Sequence, residues 1–136
     1  MITAVDTSVL LDVFLPDDRH GERSKQRLRT AYDDGAIIVC DIVYAELAAF
    51  FRDRDALDGT LRAINVSGSR IDASIAHEAG LRRRRYREAG GPRKRIISDF
   101  LIGAHAMIAA DAFLSRDRGF FSTYFPEMVF RANTHA

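Results

Sequence analysis

The sequence predicts an α/β fold in which a mostly parallel sheet is covered by helices on both faces. Short apolar runs at residues 2–5, 36–40 and 112–115 alternate with longer helical patterns, the order that βαβ units require. The run Ala36-Ile37-Ile38-Val39-Cys40 is apolar without alternation, as expected of a strand buried on both faces. With 136 residues, 47% of them hydrophobic, the chain can bury a core without disulfides. It contains no internal repeat and no linker long enough to divide it, so one domain over residues 1–136 is expected.

The elements follow in order. Residues 2–5 form a β-prone run ending on Asp6, and residues 8–15 read as a helix stopped by Pro16. A polar helical pattern from about His20 ends at Gly35, which suits a C-cap, and strand 36–40 follows. Asp41 is the expected N-cap of a helix over residues 42–52, with a shorter helix over 53–64 and a weak strand over 65–71. Asp72 is expected to cap a long helix through Arg87, terminated by Ala89, Gly90, Gly91 and Pro92. Ser98 is expected to cap a helix through about Ala110. Residues 112–115 read as a strand, 119–125 as a helical turn and 128–130 as a last strand.

Cys40 is the single cysteine and sits in an apolar run, so a buried packing role is expected in a reducing cytoplasm. No stretch approaches the ~18 apolar residues of a membrane span, and residues 1–6 lack the pattern of a signal peptide. The net charge of +1 hides a split: residues 82–95 hold eight basic groups and one acid, Glu88, while the other 122 residues hold 12 basic and 18 acidic groups. A segment at +7 on a body at −6 implies contact with an anionic partner.

Four of the 19 acids stand out by position. Asp6 directly follows the first strand and Asp117 lies two residues after the strand 112–115, so both belong at carboxyl ends of strands, where open α/β sheets bind ligands. Glu46 has Ile42, Val43, Ala49 and Phe50 as helical neighbours, so its carboxylate is expected to point along an apolar face, where charge needs a proton, a base or a cation. Asp99 sits at a helix start, with Ile96, Ile102 and Gly103 on its face. Carboxylates gathered in one cleft repel unless a multivalent cation neutralises them, and oxygen donors without His or Cys select Mg²⁺ or Mn²⁺ over zinc. Such a site suits phosphodiester hydrolysis.

These acids lie in four strings: Asp6-Thr7-Ser8-Val9-Leu10-Leu11, Tyr44-Ala45-Glu46-Leu47, Ile97-Ser98-Asp99-Phe100-Leu101-Ile102-Gly103-Ala104 and Leu114-Ser115-Arg116-Asp117-Arg118-Gly119-Phe120. Together, in order and over almost the whole chain, they resemble the PIN domain, specifically VapC-type toxins of bacterial toxin-antitoxin pairs. The resemblance implies a three-layer α/β/α sandwich with a central parallel sheet. It further implies a Mg²⁺-dependent endoribonuclease, with Mn²⁺ as substitute, that cuts tRNA or rRNA and so inhibits translation and growth. Asp6, Glu46, Asp99 and Asp117 match the metal-binding quartet; Ser115 matches a position with a supporting hydrogen-bond role, and Thr7 and Ser8 are candidates to help at the turn. A homodimer in the cytoplasm, silenced by a cognate antitoxin whose C-terminal segment lies across the groove, is also implied.

Arg93, Lys94, Arg95 and Arg116 are candidates to grip an RNA backbone, and the run Arg82 to Arg85 with Arg87 shares that chemistry. His20, His77, His105 and His135 show no mutual ligand spacing and are assigned no role in the site. The aromatic pairs Phe50 and Phe51, Phe120 and Phe121, and Tyr124 and Phe125 are expected in the core or at a dimer contact. A phospho-receiver is disfavoured because the only lysines, Lys25 and Lys94, follow no strand. Within the same fold, the alternatives to a toxin are a housekeeping nuclease and a non-catalytic RNA-binding module.

Overall fold

The structure, a computed structural model, describes residues 1–15, 17–92 and 95–131. Pro16, Arg93, Lys94 and His135, which the sequence singled out, lie outside the described residues. The chain runs β1 (Ile2–Val5), α1 (Thr7–Phe14), α2 (Gly21–Asp34), β2 (Ala36–Cys40), α3 (Asp41–Ala48), α4 (Arg54–Ala63), β3 (Val66–Ser69), α5 (Ala73–Glu88), α6 (Ile97–Ala109), β4 (Ala112–Leu114) and α7 (Arg118–Tyr124).

The four strands pair in the order β3-β2-β1-β4, all parallel, and the fold is a three-layer α/β/α sandwich. Thr3 pairs with Ile37 on one side and with Ala112 on the other, so β1 is central. From β1 the chain steps outward to β2 and β3, then returns across the sheet to β4. Right-handed crossovers in opposite directions put α5 and α6 on the face opposite α1 and α2. The reversal creates a switch point between β1 and β4, the place where such sheets leave a crevice outside their strand ends.

The core explains why the strands carry unbroken apolar runs. Val5, Val9, Leu10, Ile37, Val39, Leu47, Phe100 and Phe113 are buried between the layers. Phe120, Phe121 and Phe125 extend it as an aromatic cluster: Phe100 meets Phe120 edge-on at 5.3 Å and Phe113 meets Phe121 at 4.9 Å. Tyr124 stacks on Tyr86 at 4.8 Å. Phe51 packs edge-on against Phe14, whereas Phe50 is exposed and contributes little to the core. Gly103 lets α6 approach this cluster, because a Cβ there would lie 2.5 Å from the Phe125 ring.

Several boundaries differ from expectation for local reasons. Asp41 is the first residue of α3 rather than its cap, and its Oδ2 instead accepts from Ile71 N at 3.0 Å. The helix expected over residues 42–52 ends at Ala48, because Asp53 adopts extended backbone to cap α4, accepting from Ala56 N at 2.9 Å. Ser98 lies inside α6, whose cap is Ile96 without a side-chain bond. Asp72 caps α5 through Ile75 N, as expected. The expected strand over residues 128–130 is a single bridge, Phe113 to Phe130. Met128 N is still engaged with Phe125 O at 2.9 Å, so the segment reaches the three-residue β4 only at its end.

Candidate active site

Parallel pairing with β4 brings Asp6 and Asp117 together. Asp6 N donates to Leu114 O at 3.0 Å, which fixes the end of β1 against β4 before the chain turns into α1. Asp6 then caps α1, its Oδ1 accepting from Thr7 N at 2.8 Å. Its Oδ2 accepts from Ser115 Oγ at 2.7 Å, and the same hydroxyl accepts from Asp117 N at 2.9 Å. Ser115, buried just past β4, therefore bridges the two acids.

Glu46 joins from α3 through Thr7 Oγ1, which donates to its Oε1 at 2.5 Å. The expectation that its carboxylate points along an apolar face is corrected: Val43 and Leu47 form the buried stripe of this short helix, and Glu46, one position off it, is exposed. Asp99, in the first turn of α6, is half-buried. Burial pushes both Asp6 and Asp99 above the usual aspartate range. For Asp6 the bonds from Ser115 and Thr7 oppose the shift, and for Asp99 the nearby Arg95 does. The charges of Glu46 and Asp117 raise both. All four carboxylates thus share one electrostatic environment.

Two neighbouring arginines differ in what they hold. Arg95 Nη1 donates to Asp117 Oδ2 at 2.7 Å, with its guanidinium 4.3 Å from the Phe120 ring centre. Arg116 turns to buried Asp12, its Nε and Nη2 donating to the two carboxylate oxygens at 2.8 and 3.0 Å. That fork commits the Nε and Nη2 donors of Arg116 to Asp12 rather than to phosphate. It acts instead as a clamp between α1 and the loop carrying Asp117, and Ser24 Oγ completes it from α2 at 2.6 Å. The sequence reading passed over Asp12, although the signal was there: it is the one acid inside the apolar helix following Asp6.

Among the described residues no three acid, His or Cys side chains converge closely enough to cage an ion as they stand. Hydroxyls and Arg95 occupy part of the carboxylate set. An all-oxygen cluster still fits Mg²⁺, which is ordinarily held by one or two carboxylates with several waters. Ser8 Oγ, two residues after Asp6, is buried without a hydrogen-bond partner, the condition a coordinated water would relieve. Of the described histidines, His105 is buried against Ser69 Oγ at 2.9 Å, and burial lowers its pKa. An apolar cleft lined in part by Leu28, Tyr32 and Val66 lies at another edge of the sheet and contains none of the four acids.

A sequence model of the PIN domain matches residues 3–126. The chain belongs to the PIN-domain family. No curated protein sequence matches it. Its fold is similar to that of VapBC2 from Rickettsia felis, solved bound to a DNA fragment from its promoter, with a TM-score of 0.73 at 17% identity over 96% of this chain and 98% of the other. FitAcB from Neisseria gonorrhoeae superposes with a TM-score of 0.67 at 19% identity over the whole of both chains. VapC20 from Mycobacterium tuberculosis, a toxin that cleaves the sarcin-ricin loop, gives a TM-score of 0.62 at 18% identity over 90% of this chain and 95% of its own. Among the described residues, no helix of the PIN domain is long and apolar enough to cross a membrane.

Proposed function

We infer that this PIN domain is a metal-dependent endoribonuclease, the toxin of a toxin-antitoxin pair. The observation that carries the reading is the pairing of Asp6 and Asp117 through Ser115 at the sheet's switch point, with Glu46 and Asp99 in the same electrostatic environment. The fold shared with VapBC and FitAB proteins supports the toxin role, and the activity of VapC20 supports RNA as substrate.

The residues divide the work. Asp6, Glu46, Asp99 and Asp117 would hold Mg²⁺ or Mn²⁺. When bound there, the ion would supply positive charge able to acidify an attacking water and stabilise the leaving oxygen. Ser115 keeps Asp6 and Asp117 in register, and Thr7 steadies Glu46. Arg95 donates to Asp117 and offsets its charge. Inhibition by an antitoxin, homodimerisation and a cytoplasmic location belong to the same reading.

Purified protein incubated with total RNA, with Mg²⁺, with Mn²⁺ or with chelator, tests it. Discrete metal-dependent cuts that vanish in Asp99→Asn are expected, and expression of the variant should spare growth. Absence of cutting under every condition would favour a non-catalytic RNA-binding module. Cutting without growth arrest would favour a housekeeping nuclease.

A further inference from the structure

The arginine run of α5 is divided by the helix into distinct roles. Arg82 points inward and is buried, donating to Glu78 at 2.8 Å, to the Tyr124 carbonyl at 3.1 Å and to Glu127. Arg84 pairs with Glu88 at 3.7 Å. Arg83 and Arg87 form no ion pair among the described residues, and their i,i+4 spacing holds two like charges side by side on one stripe. Two like charges held side by side without an ion pair suit a surface that meets an anion.

The surroundings indicate where that anion would run. Arg83, Arg87 and Arg95, with Tyr86 and Pro92, line a cleft of about 230 Å³. Arg83 and Arg87 also line a second cleft of about 430 Å³ with Gly80, Arg84, Glu88 and Ile97, so the two adjoin. The first cleft is linked to the acids through Arg95, which lines it and donates to Asp117 at 2.7 Å. The Tyr86 ring is buried and stacked on Tyr124, and its hydroxyl is engaged by the Pro92 carbonyl, so it has no free face for a base. The guanidinium groups offer donors matched to phosphate oxygens.

We propose that this cationic track binds the single-stranded RNA backbone flanking the scissile phosphate, with Arg83 and Arg87 each contacting a phosphate, in a sequence-tolerant manner. The proposal rests on the ribonuclease reading. It commits to RNA over an acidic peptide because Arg95 joins the track to Asp117, one of the acids beside which a scissile phosphate would lie.

Fluorescence anisotropy of a labelled single-stranded RNA oligonucleotide, titrated with the full chain in chelator across a salt series, tests it. The variants are R83Q/R87Q and, as a charge-matched control on exposed positions elsewhere, R62Q/R70Q. R83Q/R87Q is expected to weaken binding by about tenfold and to reduce the slope of log affinity against log salt by about 1.4, the contribution of two single-strand phosphate contacts. The control should leave the slope unchanged, and circular dichroism should show both variants folded. If R83Q/R87Q binds RNA as the control does while the wild type binds and cuts, the track is wrong and the ribonuclease reading stands. If only poly-glutamate binding falls in R83Q/R87Q, the surface serves an acidic protein and the proposal is overturned. A wild type that neither binds nor cuts RNA overturns the ribonuclease reading itself.

Discussion

Asp6 is pulled two ways: burial, with the charges of Glu46 and Asp117, disfavours its ionised form, while the bonds it accepts from Ser115 Oγ and Thr7 N favour it. Burial raises its pKa, so the folded chain holds that proton more tightly than the unfolded chain. The resulting stabilisation is fully present below the ordinary aspartate pKa and is lost as pH rises through the raised value. A metal competes with the same proton. Mn²⁺ binding, followed by calorimetry, should therefore weaken on acidification at a pH above that at which exposed aspartates titrate; a midpoint in the ordinary range would contradict the assignment. Arg95 offers the complementary test. Its pairing with Asp117 is partly solvent-exposed, so Arg95→Gln is expected to tighten Mn²⁺ binding by only about two- to fivefold. Unchanged or weaker binding would show that the ion pair does not compete with the cation.

At the level of elements, the site depends on how α1, β4 and α7 are fastened together. Asp12 is buried on α1, and Arg116 reaches it across the sheet end from the loop that also carries Ser115 and Asp117. Arg116→Ala leaves a buried carboxylate with only Ser24 as partner, and a loss of about 2–3 kcal/mol in denaturant unfolding is expected, reduced from the fully buried case because Arg116 is partly exposed. A loss within a few tenths of a kcal/mol would assign Arg116 back to the surface. Glu46 teaches the opposite lesson about elements. Its apolar sequence neighbours suggested burial, yet α3 is only eight residues long and buries a narrow stripe, so the side chain projects toward Thr7 instead.

Across the whole molecule, negative charge gathers at the sheet's switch point and positive charge along α5, joined by the Arg95–Asp117 pair. A folded cluster of repelling carboxylates gains stability from any cation that binds it and not the unfolded chain. Millimolar Mg²⁺ is expected to raise Tm by several degrees, on the order of 5 °C. Asp99→Asn should abolish most of that rise and melt slightly above the wild type in chelator, because burial and the charges of Glu46 and Asp117 disfavour the ionised Asp99. A scanning fluorimetry series showing no metal effect in the wild type would count against the site. The sequence by itself determined the alternation of strands and helices, the parallel sheet and the strings in which the four acids stand. These follow from apolar periodicity, cap chemistry and local spacing, all of which act within a few residues. Only the tertiary structure decided that Ser115 bridges Asp6 and Asp117, that Arg116 pairs with Asp12 while Arg95 pairs with Asp117, and that Arg83 and Arg87 form no ion pair among the described residues. Those outcomes depend on which side chains the β1–β4 register and the return crossover through α5 and α6 bring within bonding distance. Asp6 and Ser115 are 109 residues apart along the chain, and no local rule reaches that far.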